Sequence, residues 1–456
     1  MKEADEKSRR HFLKLGSVLG LAAAFSPRTI AETFADSKFG TTEKEKIMTQ
    51  TTATEQAADN TAIRPFQFNF PDSELADLRR RVNATRWPDR EQVPDASQGV
   101  QLATMQKLAR YWGTDYDWRK GEAKLKAVPH FVTEIDGLDI HFIHVRSKHE
   151  NALPMIVTHG WPGSIIEQMK IIEPLTNPTA HGGTEADAFH LVIPSLPGYG
   201  FSGKPTKPGW NPVSIAKAWA TLMQRLGYTK YVAQGGDWGN AVSEVMALQQ
   251  PPGLLGIHTN MAATVPAEIS KAMAAGTQPS GLSADEKHAW DQLDDFYKNG
   301  LGYALEMNNR PQTLYGIADS PVGLASWILD HDIRSYQMIA RSFDGQPEGL
   351  TRDDVLDNVT LYWLTNTAIS SARLYWDARH NLPPGGFFDV RGIKIPVAVS
   401  AFAEEIYQAP KSWAEKAYPK LIFYNKHDKG THFAAWEQPE LFVADMRAAF
   451  KSLRSA

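Results

Sequence analysis

The sequence of 456 residues contains no cysteine, and this absence removes several kinds of chemistry at once. Without thiols there are no disulfides, no cysteine nucleophile and no cysteine metal ligands, although the compartment stays open. The net charge of −4 offers no basic surface for a polyanion, so nucleic acid is not an expected partner. What is present is an ordinary globular composition, 42% hydrophobic and 22% charged, in a chain long enough to bury a large core.

The N-terminal segment has the pattern of a targeting sequence. The string SRRHFLK over residues 8–14 fits a twin-arginine export motif and precedes a weakly apolar run over 15–25. That run is too short to span a bilayer, and Thr33-Phe34-Ala35 fits a cleavage site of the small-x-Ala kind. We therefore expect a twin-arginine signal peptide over 1–40, a polar flexible tether over 41–62, and a periplasmic or secreted protein without a stable membrane anchor.

Helical and strand patterns divide the remainder into regions. In the N-terminal region, 63–153, a helix that Asp72 or Ser73 can cap is followed by a second helix from Gly99 to Trp112. Two alternating segments, 131–135 and 138–145, are joined by an Asp-Gly pair that is typical of a hairpin.

Short apolar runs then alternate with helical patterns over 154–264, which predicts a parallel sheet covered on both faces. Residues 265–392 show helical patterns only, and 393–456 return to strands and a closing helix. The predicted fold class is therefore α/β: a mostly parallel sheet with an N-terminal region that precedes it and a helical cap inserted between the sixth and seventh strands.

The strongest chemical signal is the string GGDWG over 235–239, between a buried strand and a helix. Gly235 and Gly239 flank Asp237 in the spacing of the nucleophile elbow of α/β-hydrolases, with aspartate in place of the usual serine. A carboxylate forms an ester by attacking an alkyl carbon, so Asp237 suits epoxides or alkyl halides better than esters. The alternative, a glycine-rich turn with a helix-capping aspartate, is weaker once the features below are added.

The string HGWPGS over 159–164 follows a predicted strand, as the oxyanion loop does in this fold. We assign the oxyanion-hole N–H groups to the backbone amides of Trp161 and Trp238. His159, although near the elbow, is expected to be a structural residue that is hydrogen-bonded inside the loop.

The base of such a site is a histidine late in the chain, and the acid precedes it. Two histidines follow the last predicted strand, and we choose His432, in the string GTHFAAW, over His427, which we expect to be solvated among charged neighbours. The acid is expected after the strand at 396–400, where Glu404 and Glu405 both lie. Spacing alone does not choose between them.

These motifs together resemble the microsomal-type epoxide hydrolases, a family that includes the juvenile hormone epoxide hydrolases and bacterial relatives. The resemblance runs from about residue 63 to the C-terminus. It rests on TRWP at 85–88, YDW at 116–118, HGWPGS at 159–164, GGDWG at 235–239, DSPVGL at 319–324, SAF at 400–402 and GTHFAA at 430–435. It implies a cofactor-free α/β-hydrolase core with no bound metal, a helical cap, and an N-terminal epoxide hydrolase domain that wraps the core.

The resemblance also implies roles for individual residues. It places the nucleophile on Asp237, the base on His432 and the acid on Glu405, and it places two tyrosines that polarise the epoxide oxygen on Tyr303 and Tyr375. The match at Tyr303 is looser, because Met307 stands where the family usually has glutamine, and Tyr315 is a weaker rival.

The expected partners are a small apolar epoxide and water, and a homodimer is left open. Two other functions fit parts of this pattern. A haloalkane dehalogenase shares the fold, nucleophile and base, but its cap donors are tryptophan or asparagine. A catalytically inactive binding module would not need every triad position.

Overall fold

A nine-stranded sheet organises the chain. The computed structural model describes residues 61–381, Phe388 and residues 392–454, and the predicted signal peptide and almost all of the predicted tether lie outside the described residues. The strand order is β1-β2-β3-β5-β4-β6-β7-β8-β9, antiparallel from β1 to β5 and parallel from β5 to β9. The strands are Arg64–Pro65, His130–Ile135, Leu138–Val145, Leu153–Thr158, Phe189–Pro194, Tyr231–Gly235, Leu254–Thr259, Val397–Ala401 and Leu421–Lys426 in chain order, β1 to β9. The mostly parallel α/β sheet expected from the sequence is confirmed.

The helices fall into the same regions as the sequence patterns. Those before the parallel strands are α1 Asp72–Asn83, α2 Leu102–Thr114 and α3 Trp118–Lys126. Those that cover the sheet are α4 Met169–Thr176, α5 Pro212–Arg225 and α6 Trp238–Gln249, and, at the end of the chain, α15 Lys411–Ala417, α16 Ala434–Glu437 and α17 Pro439–Ala449. Those between β7 and β8 are α7 Ala267–Ala274, α8 Ala284–Asp295, α9 Gly302–Asn309, α10 Tyr315–Asp319, α11 Pro321–Leu329, α12 Ile333–Phe343, α13 Arg352–Leu364 and α14 Ala368–Asn381.

Several local expectations need correction. Helix α1 has Pro71 at its N-cap and no side-chain cap, so neither Asp72 nor Ser73 caps it. Helix α2 begins at Leu102 and not at Gly99, because Gly99 has a φ of 100°, which a right-handed helix cannot accommodate. The two-residue strand β1 was too short to predict from its pattern, and its presence puts the helical cap between the seventh and eighth strands.

The hairpin between β2 and β3 follows its sequence signal. Asp136 and Gly137 have φ values of 50° and 76°, the positive pair that a two-residue type I′ turn requires. Both strands belong to the same sheet as the parallel strands, so the N-terminal region supplies the antiparallel end of the core sheet.

The N-terminal helices pack against the cap. Helix α1 contacts α11, α2 contacts α12, and α3 contacts α13. Buried hydrogen bonds join them: the Trp112 indole donates to Thr360 Oγ1 at 3.1 Å, and the Tyr116 hydroxyl donates to Asp357 Oδ1 at 2.8 Å. The N-terminal helices therefore fix the position of the cap. Among the described residues, no helix has the length and apolar character needed to cross a membrane.

Candidate active site

Asp237 stands at the turn between β6 and α6, in a backbone conformation that L residues rarely adopt. Its φ of 51° and ψ of −127° lie outside the usual allowed regions. Such strain is found where the surrounding structure holds a functional residue in place. The turn directs the carboxylate into the interior, where Asp237 is 7% exposed.

The glycines of the elbow are required by close backbone approach. A Cβ at Gly235 would lie 2.0 Å from the carbonyl oxygen of Gly239, and one at Gly239 would lie 1.9 Å from that of Thr158. In the oxyanion loop, a Cβ at Gly160 would lie 2.2 Å from Asp237 Oδ1. The strand, the helix and the loop can therefore meet around the carboxylate only if these three positions lack side chains.

The oxyanion loop supplies a hydrogen bond to the nucleophile. The backbone N–H of Trp161 donates to Asp237 Oδ1 at 2.7 Å, as its predicted role requires. The loop is held from the cap, because Asn358 Nδ2 donates to the carbonyl oxygen of Pro162 at 2.9 Å and the Tyr362 hydroxyl donates to that of Gly163 at 2.8 Å. Trp238 is the first residue of α6, so its amide lies in the first turn after the nucleophile; its oxyanion role stays a prediction.

His159 is buried in the loop with both ring nitrogens occupied. Nδ1 lies 3.0 Å from the carbonyl oxygen of Gly160, and Nε2 accepts from the backbone N–H of Leu196 at 3.2 Å. Burial lowers the pKa of His159 to about 4, so the ring is neutral at ordinary pH. This arrangement matches the structural role expected for it.

His432 and Glu405 form a buried pair next to the nucleophile. The His432 Nδ1 lies 2.6 Å from Glu405 Oε1, and its Nε2 lies 3.8 Å from Asp237 Oδ2. Glu405 Oε1 also accepts from the N–H of Ile406 at 2.8 Å, which fixes the carboxylate. The neighbouring Glu404 is exposed, and its backbone N–H donates to the carbonyl oxygen of Gly430, which joins the two loops. The structure therefore brings Glu405, and not Glu404, to the base.

The charges around His432 favour its protonated form in the free enzyme. Burial by itself would lower the pKa of His432, but the carboxylates of Glu405 and Asp237 raise it to about 10. Because the Asp237 charge is one of these causes, neutralising that carboxylate would lower the pKa of the imidazole.

His427 was expected to be solvated, and this expectation is wrong. Its side chain is only 10% exposed, and Nε2 lies 2.6 Å from Asp445 Oδ2. Its ring stacks on Phe402 with centroids 4.6 Å apart. The charged neighbours of His427 in sequence are exposed, whereas its own ring faces Asp445 on the closing helix α17.

Tyr303 and Tyr375 come from cap helices α9 and α14 and meet above the elbow. The Tyr303 ring stacks on Trp161 at 4.9 Å, the Tyr375 ring packs edge-on against Trp238 at 4.7 Å, and the two phenol rings are 6.1 Å apart. Burial and the charge of Asp237 raise the pKa of Tyr303 well above its usual value, and burial, with Tyr303 and Asp237, does the same for Tyr375. Both phenols therefore remain protonated donors.

The rival Tyr315 is 68% exposed, so it lies at the surface and not in the site. Tyr303, although its sequence match is looser, is buried beside the predicted oxyanion loop. Among the described residues, the Tyr375 hydroxyl has no hydrogen bond of ordinary geometry, which leaves it available to a ligand.

Sequence reasoning missed two groups beside the triad, the partly buried Glu167 and the buried His331. Glu167 extends back along the oxyanion loop, so that a Cβ at Gly163 would lie 1.6 Å from its Oε2. Burial raises the pKa of Glu167 to about 8, with His432 opposing the shift and Asp237 adding to it. His331, between α11 and α12, has its ring 4.4 Å from that of His432. Two signals in the sequence could have identified these residues. Glu167 is an acidic residue in an apolar stretch, and His331 directly precedes an aspartate that can cap a helix.

Asp237, His331 and His432 each offer a ligand atom, all within 4.8 Å of one another, which is close enough to hold a metal ion. The Asp237 and His432 atoms are the same ones that the nucleophile and base would use. Because a metal ion would occupy both of them, this cluster fits the hydrolase chemistry better than a metal centre.

Comparison with known proteins agrees with this geometry. Residues 63–168 match the family model described as the epoxide hydrolase N terminus, and residues 154–316 match the α/β hydrolase fold. A Stigmatella aurantiaca protein whose name assigns it as an epoxide hydrolase is 52% identical over 397 residues, 86% of each chain. Epoxide hydrolase 1 of Sus scrofa is 34% identical over 407 residues, covering 86% of this chain and 89% of that protein.

A solved structure gives the same result. The juvenile hormone epoxide hydrolase of the silkworm Bombyx mori superposes with a TM-score of 0.75 at 28% identity, covering 88% of this chain and 96% of that chain. The resemblance inferred from separate motifs is confirmed. With an epoxide hydrolase N-terminal domain, an α/β-hydrolase core and relatives of this kind along most of its length, the chain belongs to the epoxide hydrolase family, hydrolases that act on ether bonds.

Proposed function

We propose that this enzyme converts an epoxide to a vicinal diol through a covalent ester on Asp237, which water activated by His432 and Glu405 then hydrolyses. One observation carries the proposal. The Asp237 carboxylate receives a backbone hydrogen bond on Oδ1, at 2.7 Å, while Oδ2 faces His432. One oxygen can therefore attack a carbon while the other stays in a donor site.

In the first step, Asp237 Oδ2 attacks the less hindered carbon of the epoxide and the carbon–oxygen bond opens. The electron pair of that bond passes to the ring oxygen, which Tyr303 and Tyr375 hydrogen-bond from the cap. Their aromatic neighbours and deep burial exclude water and suit a small apolar epoxide. Because both phenols keep their protons, each can donate to the developing alkoxide, and a phenol passes its proton to that oxygen, which becomes a hydroxyl. The phenol is restored by the proton that His432 gives up when the charge of Asp237 is lost, which leaves the imidazole neutral for the second step.

In the second step, His432 takes a proton from water, and the resulting hydroxide attacks the ester carbonyl of Asp237. Glu405 holds Nδ1 and stabilises the imidazolium that forms. The oxyanion stays at Oδ1, where the Trp161 N–H donates, and we propose the Trp238 amide as the second donor. The bond between the carbonyl carbon and Oδ2 then breaks, the proton of the new carboxyl group passes to the departing oxygen, and the diol leaves with Asp237 again a carboxylate and His432 again protonated. Residues of the chain and water suffice for both steps.

The dehalogenase alternative shares Asp237 and His432 but differs in what the cap must provide. An alkoxide is a far stronger base than a halide ion and needs a phenol-like donor with a pKa of about 10 or more. Two buried phenols directed to the site from the cap favour an epoxide over an alkyl halide.

The decisive experiment is a single turnover with enzyme in excess in ¹⁸O-water. Because the first diol takes its oxygen from Asp237, it should carry no label, and label should appear only in later turnovers. His432→Gln should accumulate the ester, seen as an added substrate mass on the intact protein, while Asp237→Ala should neither form the ester nor turn over. Solvent label in the first diol would mean direct attack by water and would overturn the ester mechanism.

We also propose that the chain is exported in the folded state. The support is the arginine pair, Arg9 and Arg10, ahead of a weakly apolar run. Changing both arginines to lysine should retain the protein in the cytoplasm, as fractionation would show. Export of the double variant at the wild-type level would contradict the proposal.

A further inference from the structure

His331 is a buried histidine whose orientation is set by its neighbour in sequence. Its side chain is 1% exposed, and Nδ1 lies 3.0 Å from Asp332 Oδ2. The other oxygen of Asp332 accepts from the N–H groups of Arg334 and Ser335, at 3.0 and 2.8 Å, and so caps helix α12. The capped carboxylate fixes the imidazole ring, just as Glu405 fixes His432.

The remaining nitrogen of His331 lacks a protein partner. Nε2 is buried, and no hydrogen-bond partner for it exists within the part of the chain that the structure describes. A buried polar atom without a partner costs free energy unless a ligand or water satisfies it. A ring nitrogen of His331 lies within 4.8 Å of a carboxylate oxygen of Asp237 and a ring nitrogen of His432, so the unsatisfied group borders the reacting centre.

His331 lies on the cap side of the triad. Its ring is 5.0 Å from that of Tyr303 and 5.9 Å from that of Trp161. A separate small cavity, lined by Glu167, Gln168, Asp237 and His432 among others, lies on the core side and does not include His331. That polar cavity suits the hydrolytic water, whereas the cap side is where the tyrosines meet the epoxide.

We infer that His331, as an imidazolium paired with the Asp332 carboxylate, is a further catalytic residue whose Nε2–H donates a hydrogen bond to the oxygen released from the epoxide, and that Asp332 is its positioning residue. This inference rests on the proposed ester mechanism and deepens it. As the bond from Asp237 to carbon forms and the carbon–oxygen bond breaks, the electron pair collects on the ring oxygen. His331 and the two phenols share that charge through hydrogen bonds.

The distances allow this role. A substrate carbon about 3–3.5 Å from the attacking oxygen is in a near-attack position. Because a ring nitrogen of His331 lies within 4.8 Å of an oxygen of the Asp237 carboxylate, a donor on this ring can reach the adjacent oxygen of the strained epoxide. A ring-stacking role alone would leave no reason for Asp332 to orient Nε2.

The test separates the two chemical steps by rapid-quench single turnovers on a styrene-type epoxide. His331→Phe keeps a ring but removes the hydrogen bond, and we expect it to slow ester formation about 10- to 100-fold while ester hydrolysis changes little. His331→Gln places an amide near the former Nε2 and should restore part of the loss. Circular dichroism checks that both variants fold.

The control is His380→Phe, an exposed histidine of helix α14, which should leave both rates unchanged. If the wild type forms no ester, the proposed function fails and this inference fails with it. The other outcome is that the wild type does form the ester. If His331→Phe then forms it at the wild-type rate, or slows only its hydrolysis, this inference alone is overturned. Equal losses in the Phe and Gln variants would also contradict it, because packing and not hydrogen bonding would be at fault.

Discussion

The core and the cap contribute to the candidate site in different ways. Core residues are held by directional hydrogen bonds: Asp237 by the Trp161 N–H, Glu405 by the Ile406 N–H, and His432 by Glu405. The cap tyrosines are held mainly by ring contacts, Tyr303 on Trp161 and Tyr375 on Trp238.

This difference corresponds to what each half must do in the proposed mechanism. The core handles a covalent bond and a proton, which need fixed atoms at fixed distances. The cap has to accept substrates and stabilise charge, and ring packing tolerates small shifts because dispersion contacts are individually weak and not strongly directional. We therefore expect substitutions in the core to cost more than substitutions in the cap.

Beyond the nucleophile and the base, the largest loss is expected at Glu405. Glu405→Ala removes both the orientation and the charge that His432 depends on, and ester hydrolysis should fall on the order of 10³- to 10⁴-fold. Glu405→Gln should lose less, because the Ile406 N–H would keep the amide oxygen in place as an acceptor for Nδ1. Single-turnover decay of the ester measures both variants.

The matched control is Glu404→Ala, which changes the exposed carboxylate one residue away. It should leave ester decay at the wild-type rate. An equal loss at Glu404 and Glu405 would show that the loop and not the buried carboxylate matters, which would remove the contrast between a fixed core and an adaptable cap.

An intermediate loss is expected for the cap phenols. Tyr303→Phe and Tyr375→Phe each remove one donor to the alkoxide and keep the ring, so each should cost about 2–4 kcal/mol of transition-state stabilisation. That corresponds to about 30- to 1000-fold slower ester formation, with ester hydrolysis much less affected.

Tyr315→Phe, at the exposed rival position, serves as the control and should change neither rate. Wild-type rates of ester formation in both the Tyr303 and Tyr375 variants would reject the cap assignment. A loss confined to ester hydrolysis would place these phenols in the other chemical step.

The smallest effect concerns Glu167, whose folded-state pKa of about 8 lies above the ordinary value of 4.5. Between these two pH values the folded protein binds more protons than the unfolded chain at this site, so the group's contribution to stability falls as pH rises. Glu167→Gln removes this dependence. The Tm of the variant relative to wild type should rise by a few degrees from pH 4.5 to 8 and level off above.

Glu173→Gln, on helix α4, changes a largely exposed carboxylate and should show no such trend. A constant difference between Glu167→Gln and wild type across the same pH range would mean that Glu167 is ionised in the fold.

Much of the core half of the site was readable from local sequence. Asp237 was predicted because the elbow demands glycines at fixed offsets, and the structure shows the close contacts that demand them. His432 was chosen from its position after the last predicted strand. The choice between Glu404 and Glu405 could not come from spacing, because neighbours on an irregular loop can point in opposite directions.

The cap half depended on resemblance and on tertiary packing. Tyr303 and Tyr375 sit on helices whose patterns look like ordinary core, so their roles came from the family. The prediction for His427 was wrong because its charged neighbours in sequence do not indicate its contact with Asp445, which lies on the distant helix α17. His331 went unnoticed because nothing within the string LDHD, over 329–332, shows that its ring meets His432.

The sequence by itself determined the α/β architecture, the inserted cap and an aspartate at the elbow, because periodicity and glycine spacing are local properties that the backbone enforces. The tertiary structure decided which carboxylate reaches the base, which tyrosines are buried beside the nucleophile, and that two further polar groups border it. These depend on where separate loops and helices meet. Burial then raises the pKa of Glu167, and the carboxylates of Glu405 and Asp237 raise that of His432, in ways that no stretch of sequence specifies.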